Sequence, residues 1–218
     1  MFTLSSSRSI RPPVSQTSAA ARRTARAELR ARPAMVHHAL LTGGGLALSV
    51  LLPPAALLVP LGFALHTRAF ARAWQADRGL PERIPSRWTL FERAFWILLP
   101  WLGPHLVLGT AAIGLAHVGV VPSAWPVLRA TLTWTAVAWA LYSPIAGPAL
   151  LGAALADQRV PAAFRRGART ARDHPADTAL IIVFNALHPA SLGLLSPWIA
   201  SLGFRMQAEL TVRSIRRL

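Results

Sequence analysis

The chain has 218 residues, 53% of them hydrophobic and 14% charged, and its formal charge of +15 is carried by Arg without one Lys. With no Cys it forms no disulfide, no thiolate nucleophile and no Cys-ligated metal site. The Arg residues lie between long apolar windows rather than on one basic stripe, which argues for membrane topology and against a nucleic-acid partner.

Residues 1–34 come first and read differently from the rest. They hold seven Arg and one acid, Glu28, among Ser, Ala and Pro, with no hydrophobic periodicity. That composition predicts a disordered Arg-rich tail, at most loosely helical over 19–31. Three origins fit it: a basic cytoplasmic tail, a transit-like leader, or translated upstream sequence with Met35 as the true start. The pair Arg22-Arg23 lacks the following apolar residues of a twin-arginine export signal.

Residues 35–218 form the membrane domain. Four windows, 33–67, 94–128, 130–156 and 178–204, contain no Asp, Glu, Lys or Arg. About 20 helical residues, rising 1.5 Å each, cross a hydrocarbon core of about 30 Å, and every window exceeds that length. No apolar/polar alternation appears, so the windows predict helices rather than barrel strands. The fold class is therefore all-α, a polytopic membrane helix bundle.

The placement of Arg distinguishes the topologies. Seven Arg precede the first window, six lie in 68–93, Arg129 stands alone, five lie in 157–177 and four in 205–218. One crossing per window would put twelve Arg on one side and eleven on the other, which is no bias. If the first and last windows return to their own side, the split becomes 22 against one, as the positive-inside rule demands. The expectation is about six helices, two Pro-broken hairpins flanking one central hairpin, in the cytoplasmic membrane with both termini cytoplasmic.

Local breaks agree with this. Pro53-Pro54 sits mid-window in the first segment, and Pro removes a donor and clashes with the preceding turn. In the last window His188-Pro189, Gly193 and Ser196-Pro197 separate an arm over 176–187 from one over 198–215. A single kinked helix in each outer window is the alternative. The central hairpin is expected to kink at Pro100 and Gly103-Pro104, turn over 120–126, and return with an interruption near Pro144 and Gly147-Pro148. Trp74, Trp88, Trp125 and Trp198 fall near window ends and read as headgroup anchors, while Trp96, Trp101, Trp134 and Trp139 lie deeper and read as packing residues.

The order of several short motifs is familiar. Gly62-Phe63-Ala64 ends the first segment, Gly79-Leu80-Pro81 precedes an aromatic stretch over 88–91, and Tyr142-Ser143-Pro144 leads to Pro161-Ala162-Ala163-Phe164 and a closing helix pair. Over about 35–215 this resembles the prokaryotic multi-pass family called domain of unknown function four-thousand-and-thirteen, and more distantly the membrane domain found beside glycerophosphodiester phosphodiesterases. The resemblance implies a compact bundle of about six helices and brings no activity and no functional residue.

Chemistry is sparse. All eight acids, from Glu28 to Glu209, lie outside the windows, so ion-coupled transport lacks its usual intramembrane carboxylate. Thr131, Thr135, Ala138 and Tyr142 share one helical face, as do His105, Gly109, Ala112 and Ala116, and Gly152 and Ala156 add a small-xxx-small pair. Such faces ordinarily hold helices together. Tyr142, Asn185 and His188 are the candidate cavity-lining residues, with capping of a broken helix as the other reading of Asn185 and His188. His37-His38 point about 100° apart on a helix with no acid nearby, and Asp173-His174 has neither a third partner nor a nucleophile. No metal, cofactor or catalytic residue is expected. Over 161–173, Arg165, Arg169 and Arg172 form one stripe and Phe164, Ala168 and Ala171 the next, which describes an interfacial helix that contacts anionic headgroups or orients the bundle. These features point to a non-catalytic scaffold binding a membrane-protein partner, or to a transport or lipid-handling protein with a midplane site where the helices break at Pro53, Pro144 and Pro189.

Overall fold

The computed structural model describes residues 14–49 and 52–190, and among them every regular element is helical. Helix α1 spans Val14–Ser49. A 3-10 turn at Pro53–Leu57 leads into α2, Leu58–Ala76. Helices α3, Arg87–His117, and α4, Val121–Leu155, are followed by the shorter α5, Val160–Asp173, and α6, Pro175–Ala190. Three stretches, Pro53–Ala76, Arg87–His117 and Ala124–Leu155, are long and apolar enough to cross a membrane, which fits a membrane protein.

The break at Pro53-Pro54 folds α2 back along α1, as the sequence predicts. The two helices cross closely because Gly62 stands at the contact. A methyl there would overlap the Thr42 hydroxyl and lie 2.9 Å from the His38 carbonyl oxygen. Ser86 starts α3 by accepting the Thr89 amide at 3.1 Å, and Arg72 pairs with Glu82 across the preceding loop at 2.6 Å. The core lies between α2, α3 and α4, where Val59, Leu90, Ile97, Leu98, Trp101 and Leu102 meet a run of small residues from Ala146 to Ala154 on α4.

Several expectations change. Residues 14–34 are helical, over a longer stretch than the loose helix at 19–31 that the sequence allows, while 1–13 of the expected tail lie outside the described residues: Ala and Arg are strong helix formers, Ala27 and Ala31 are buried, and Ala27 joins Phe70, Trp74 and Leu151 in a small cluster. Arg30 also pairs with the Asp77 carboxylate at 2.6 Å, tying this basic half of α1 to the end of α2. The turn between α3 and α4 lies over 118–120, earlier than expected, because Gly119 adopts φ +78° and α4 takes a proline into its first turn. Helix α4 then runs unbroken through Pro144 and Pro148. Pro144 has no amide proton for the Ala140 carbonyl, and the Ser143 hydroxyl donates to that oxygen instead at 3.2 Å.

The anchors also divide differently. Trp88 and Trp125 are 74% and 62% exposed, as headgroup anchors would be, whereas Trp74 is 8% exposed with the Arg78 guanidinium 3.8 Å above its ring. Trp96 is exposed rather than packed, and Trp101 is buried. The second arm of the last window, including Trp198, lies outside the described residues.

Helix α5 has the predicted Arg stripe on its exposed side, but its buried side is Ala163, Gly167 and Thr170, and Ala168 faces out. Gly167 explains the register: any side chain there would run into the Ile145 carbonyl of α4. Gly167→Leu should therefore lower stability by about 1–3 kcal/mol through overpacking, measured as the thermal midpoint in detergent, while Ala168→Leu on the exposed side leaves it unchanged.

Candidate functional site

Helices α3 and α4 run antiparallel and are cross-linked by side-chain donors aimed at backbone carbonyls. The Trp101 indole N–H donates to the Thr135 carbonyl and the Trp134 N–H donates back to the Trp101 carbonyl, both at 3.1 Å. The Tyr142 hydroxyl donates to the Ile97 carbonyl. Lower still, the Arg93 guanidinium bonds the Ala153 carbonyl at 3.2 Å and the Asp157 carboxylate at 2.7 Å, closing the end of α4 with a cation where helix carbonyls are unpaired.

A second polar link joins three helices. His105 is buried, with Nε2 2.7 Å from the Ser49 hydroxyl of α1 and Nδ1 2.6 Å from the Thr135 hydroxyl of α4. Each hydroxyl also lies 2.7 Å from a carbonyl of its own helix, Leu46 for Ser49 and Thr131 for Thr135. A neutral imidazole offers one donor and one acceptor, so one of the two hydroxyls turns its proton to the ring. Thr131 bonds the Val127 carbonyl within α4. The shared faces of the sequence thus act mainly as interhelical links, with His105, Gly109 and Ala112 buried and Ala116 at the surface.

On the outward side of the α3–α4 pair lies a groove of about 850 Å³. Pro100, Trp101 and Leu108 form one wall, and Trp134, Val137 and Leu141 the other. Tyr142 closes one end and Arg129 with Ala130 the other. Its floor is rigid because the indoles of Trp101 and Trp134 and the Tyr142 ring are each pinned by the bonds above. Tyr142 is therefore a lining residue through its ring, with its hydroxyl already committed. Asn185 and His188 belong to α6, and their side chains lie outside the described residues.

Arg165, Arg169 and Arg172 sit exposed along α5, at the end of the bundle that also carries the Arg30–Asp77 and Arg93–Asp157 pairs. The neighbouring Arg166 turns toward α4 beside Gly152, and burial, then the charge of Arg169, lowers its pKa. Among the described residues no group of three or more His, Asp or Glu is placed to hold a metal ion.

What sequence reading missed is the groove and Arg129. The signal was present as a lone cation between two apolar windows, spaced one turn after Trp125. Two substitutions separate the links from each other. Tyr142→Phe removes one interhelical bond whose acceptor keeps its helix partner, at a cost of about 1 kcal/mol. Thr135→Val leaves a buried ring nitrogen of His105 without a partner and should cost more, about 1–3 kcal/mol; thermal melts of both variants in one detergent give the order.

Comparison with protein-family models gave no match, and neither did comparison with curated proteins or with solved structures.

Proposed function

We propose that the chain is a non-catalytic, multi-pass membrane protein that handles lipid, holding an apolar chain in the groove between α3 and α4. The groove carries this reading: it opens sideways from the bundle, is lined almost wholly by apolar side chains, and has a floor fixed by hydrogen bonds. A preorganised apolar cleft of this size suits an acyl-type chain better than a polar solute. The commitment of the Tyr142 hydroxyl to a backbone carbonyl supports the same choice over an aqueous conduit.

The Arg-rich end faces the cytoplasm in this reading. The first turn of α3, the end of α4 and all of α5 lie there, and Arg165, Arg169 and Arg172 rest against anionic headgroups, each contributing about 1 kcal/mol. The opposite end carries the 118–120 turn. With no native Cys, single-Cys variants report orientation directly. Val118→Cys should react with a membrane-impermeant thiol reagent in intact cells, whereas Ser86→Cys and Ala168→Cys should react only after lysis. Labelling of 86 and 168 from outside would invert the orientation and sink the assignment.

The lipid reading has its own test. Lipids brominated in mid-chain quench nearby indoles, and two of the groove walls are Trp101 and Trp134. Thr133 also lines the groove, and Thr133→Trp would fill it with a bulky ring. Quenching of the native chain should exceed that of a variant so filled, after correction for the added indole. Equal quenching would leave the groove as a docking face for another membrane helix, the scaffold reading.

A further inference from the structure

At the end of the groove away from Tyr142, Arg129 is exposed and has neither an ion-pair nor a hydrogen-bond partner among the described residues. No Asp or Glu occurs anywhere between Glu92 and Asp157, so neither α3 beyond its first turns nor α4 can supply a counter-charge. The other described Arg residues gather at the far end of the bundle, where Arg30, Arg72 and Arg93 each have a carboxylate partner.

Depth makes this placement informative. Arg129 shares its end of the groove with Leu108 of α3. From Trp88, exposed at the start of α3, to Leu108 is about 30 Å along the helix axis, the thickness of a hydrocarbon core. If the Trp88 ring lies in one headgroup layer, Arg129 lies in the other, with exposed Trp125 one helical turn further out on the same face of α4. An Arg near the end of a membrane-crossing helix reaches its guanidinium into the headgroup layer. Among the described residues no carboxylate is placed to pair with it, and the anion found at that depth in a bilayer is the lipid phosphate.

From this geometry we infer that the groove binds a phospholipid of net negative headgroup charge from the leaflet opposite the Arg-rich end. Its phosphate sits on the Arg129 guanidinium and one acyl chain runs along Trp134, Val137 and Leu141 to Tyr142. From Arg129 to Tyr142 is about 20 Å of helix, so the chain lies along the protein to about the bilayer midplane or slightly past it. The planar guanidinium can offer the phosphate two parallel N–H donors. A zwitterionic headgroup carries its own ammonium and competes with Arg129 for the phosphate, so the site discriminates by headgroup charge. This inference rests on the lipid reading of the groove and adds to it the headgroup and the leaflet.

The test is native mass spectrometry of the full chain in micelles doped with phosphatidylglycerol or with phosphatidylcholine of identical chains. The native protein should retain one phosphatidylglycerol at least about five-fold more tightly than phosphatidylcholine, as expected for about 1 kcal/mol of charge-assisted contact. Arg129→Gln should abolish that preference while still retaining a lipid of either kind, and Arg129→Lys should keep it in weakened form, with helicity by circular dichroism checking the fold of both. Thr133→Trp should lose the retained lipid whatever its headgroup. If Arg129→Gln keeps the full preference while Thr133→Trp loses lipid, the phosphate assignment is wrong and the groove reading survives. If Thr133→Trp retains as much lipid as the native chain, the groove reading itself falls. Equal retention of the two lipids by the native chain overturns the inference directly.

Discussion

The structure depends on one constraint, that a polar backbone group inside an apolar bundle must find its partner within the protein. Prolines make this acute here, because Pro100, Pro104, Pro144 and Pro148 each withdraw an amide proton from a helix that is long enough to cross a bilayer. The α3–α4 pair answers one of these losses directly, with the Ser143 hydroxyl on the Ala140 carbonyl, and adds donors from Tyr142, Trp101 and Trp134 to carbonyls that keep their own helix amides. Those added interhelical bonds fix the rings that line the groove. Stability and site are therefore not separable in this pair, because the bonds that tie α3 to α4 also hold the rings that line the groove.

Small residues are the second determinant. Where two helices cross closely, the contact is made over Gly62 or Gly167, and α4 brings Ala146, Ala149, Ala153 and Ala154 to the shared core. In a bilayer there is little hydrophobic gain from helix association, so close backbone approach and interhelical hydrogen bonds carry it. His105 shows how far this goes, since a single buried ring links α1, α3 and α4 through two hydroxyls.

Much of this architecture was legible in the residues. Charge-free windows gave the helices, Pro53-Pro54 the first hairpin, and the Arg stripe the exposed face of α5. The illegible parts have physical reasons. Proline argues for a break, but Ser143 supplies the missing donor at Ala140, and a hydroxyl one residue before a proline does not announce its target. The helix over 14–34 was obscured because its stabilising contacts, Arg30 to Asp77 and Ala27 to Phe70 and Trp74, are distant in sequence. Trp74 looked like an anchor by position alone and is buried by that same contact. The groove was invisible because a cleft is a property of two helix faces together, whereas Tyr142 could be named from one face.

Arg129 ties these threads together. As one Arg against 22 it looked like an exception that the positive-inside rule tolerates. An exposed cation without a partner among the described residues, at one end of an otherwise apolar groove, is costly if nothing meets it, because Arg in a spanning helix disfavours insertion by about 2.5–3.5 kcal/mol at mid-depth and less near the interface. In the proposed membrane placement Trp125, one turn away, sets it near the interface, where the cost is smallest and phosphate is at hand. In that reading the position that makes the charge tolerable is also the position from which it reads a headgroup, while a residue about three turns deeper on α4, near the midplane, could do neither.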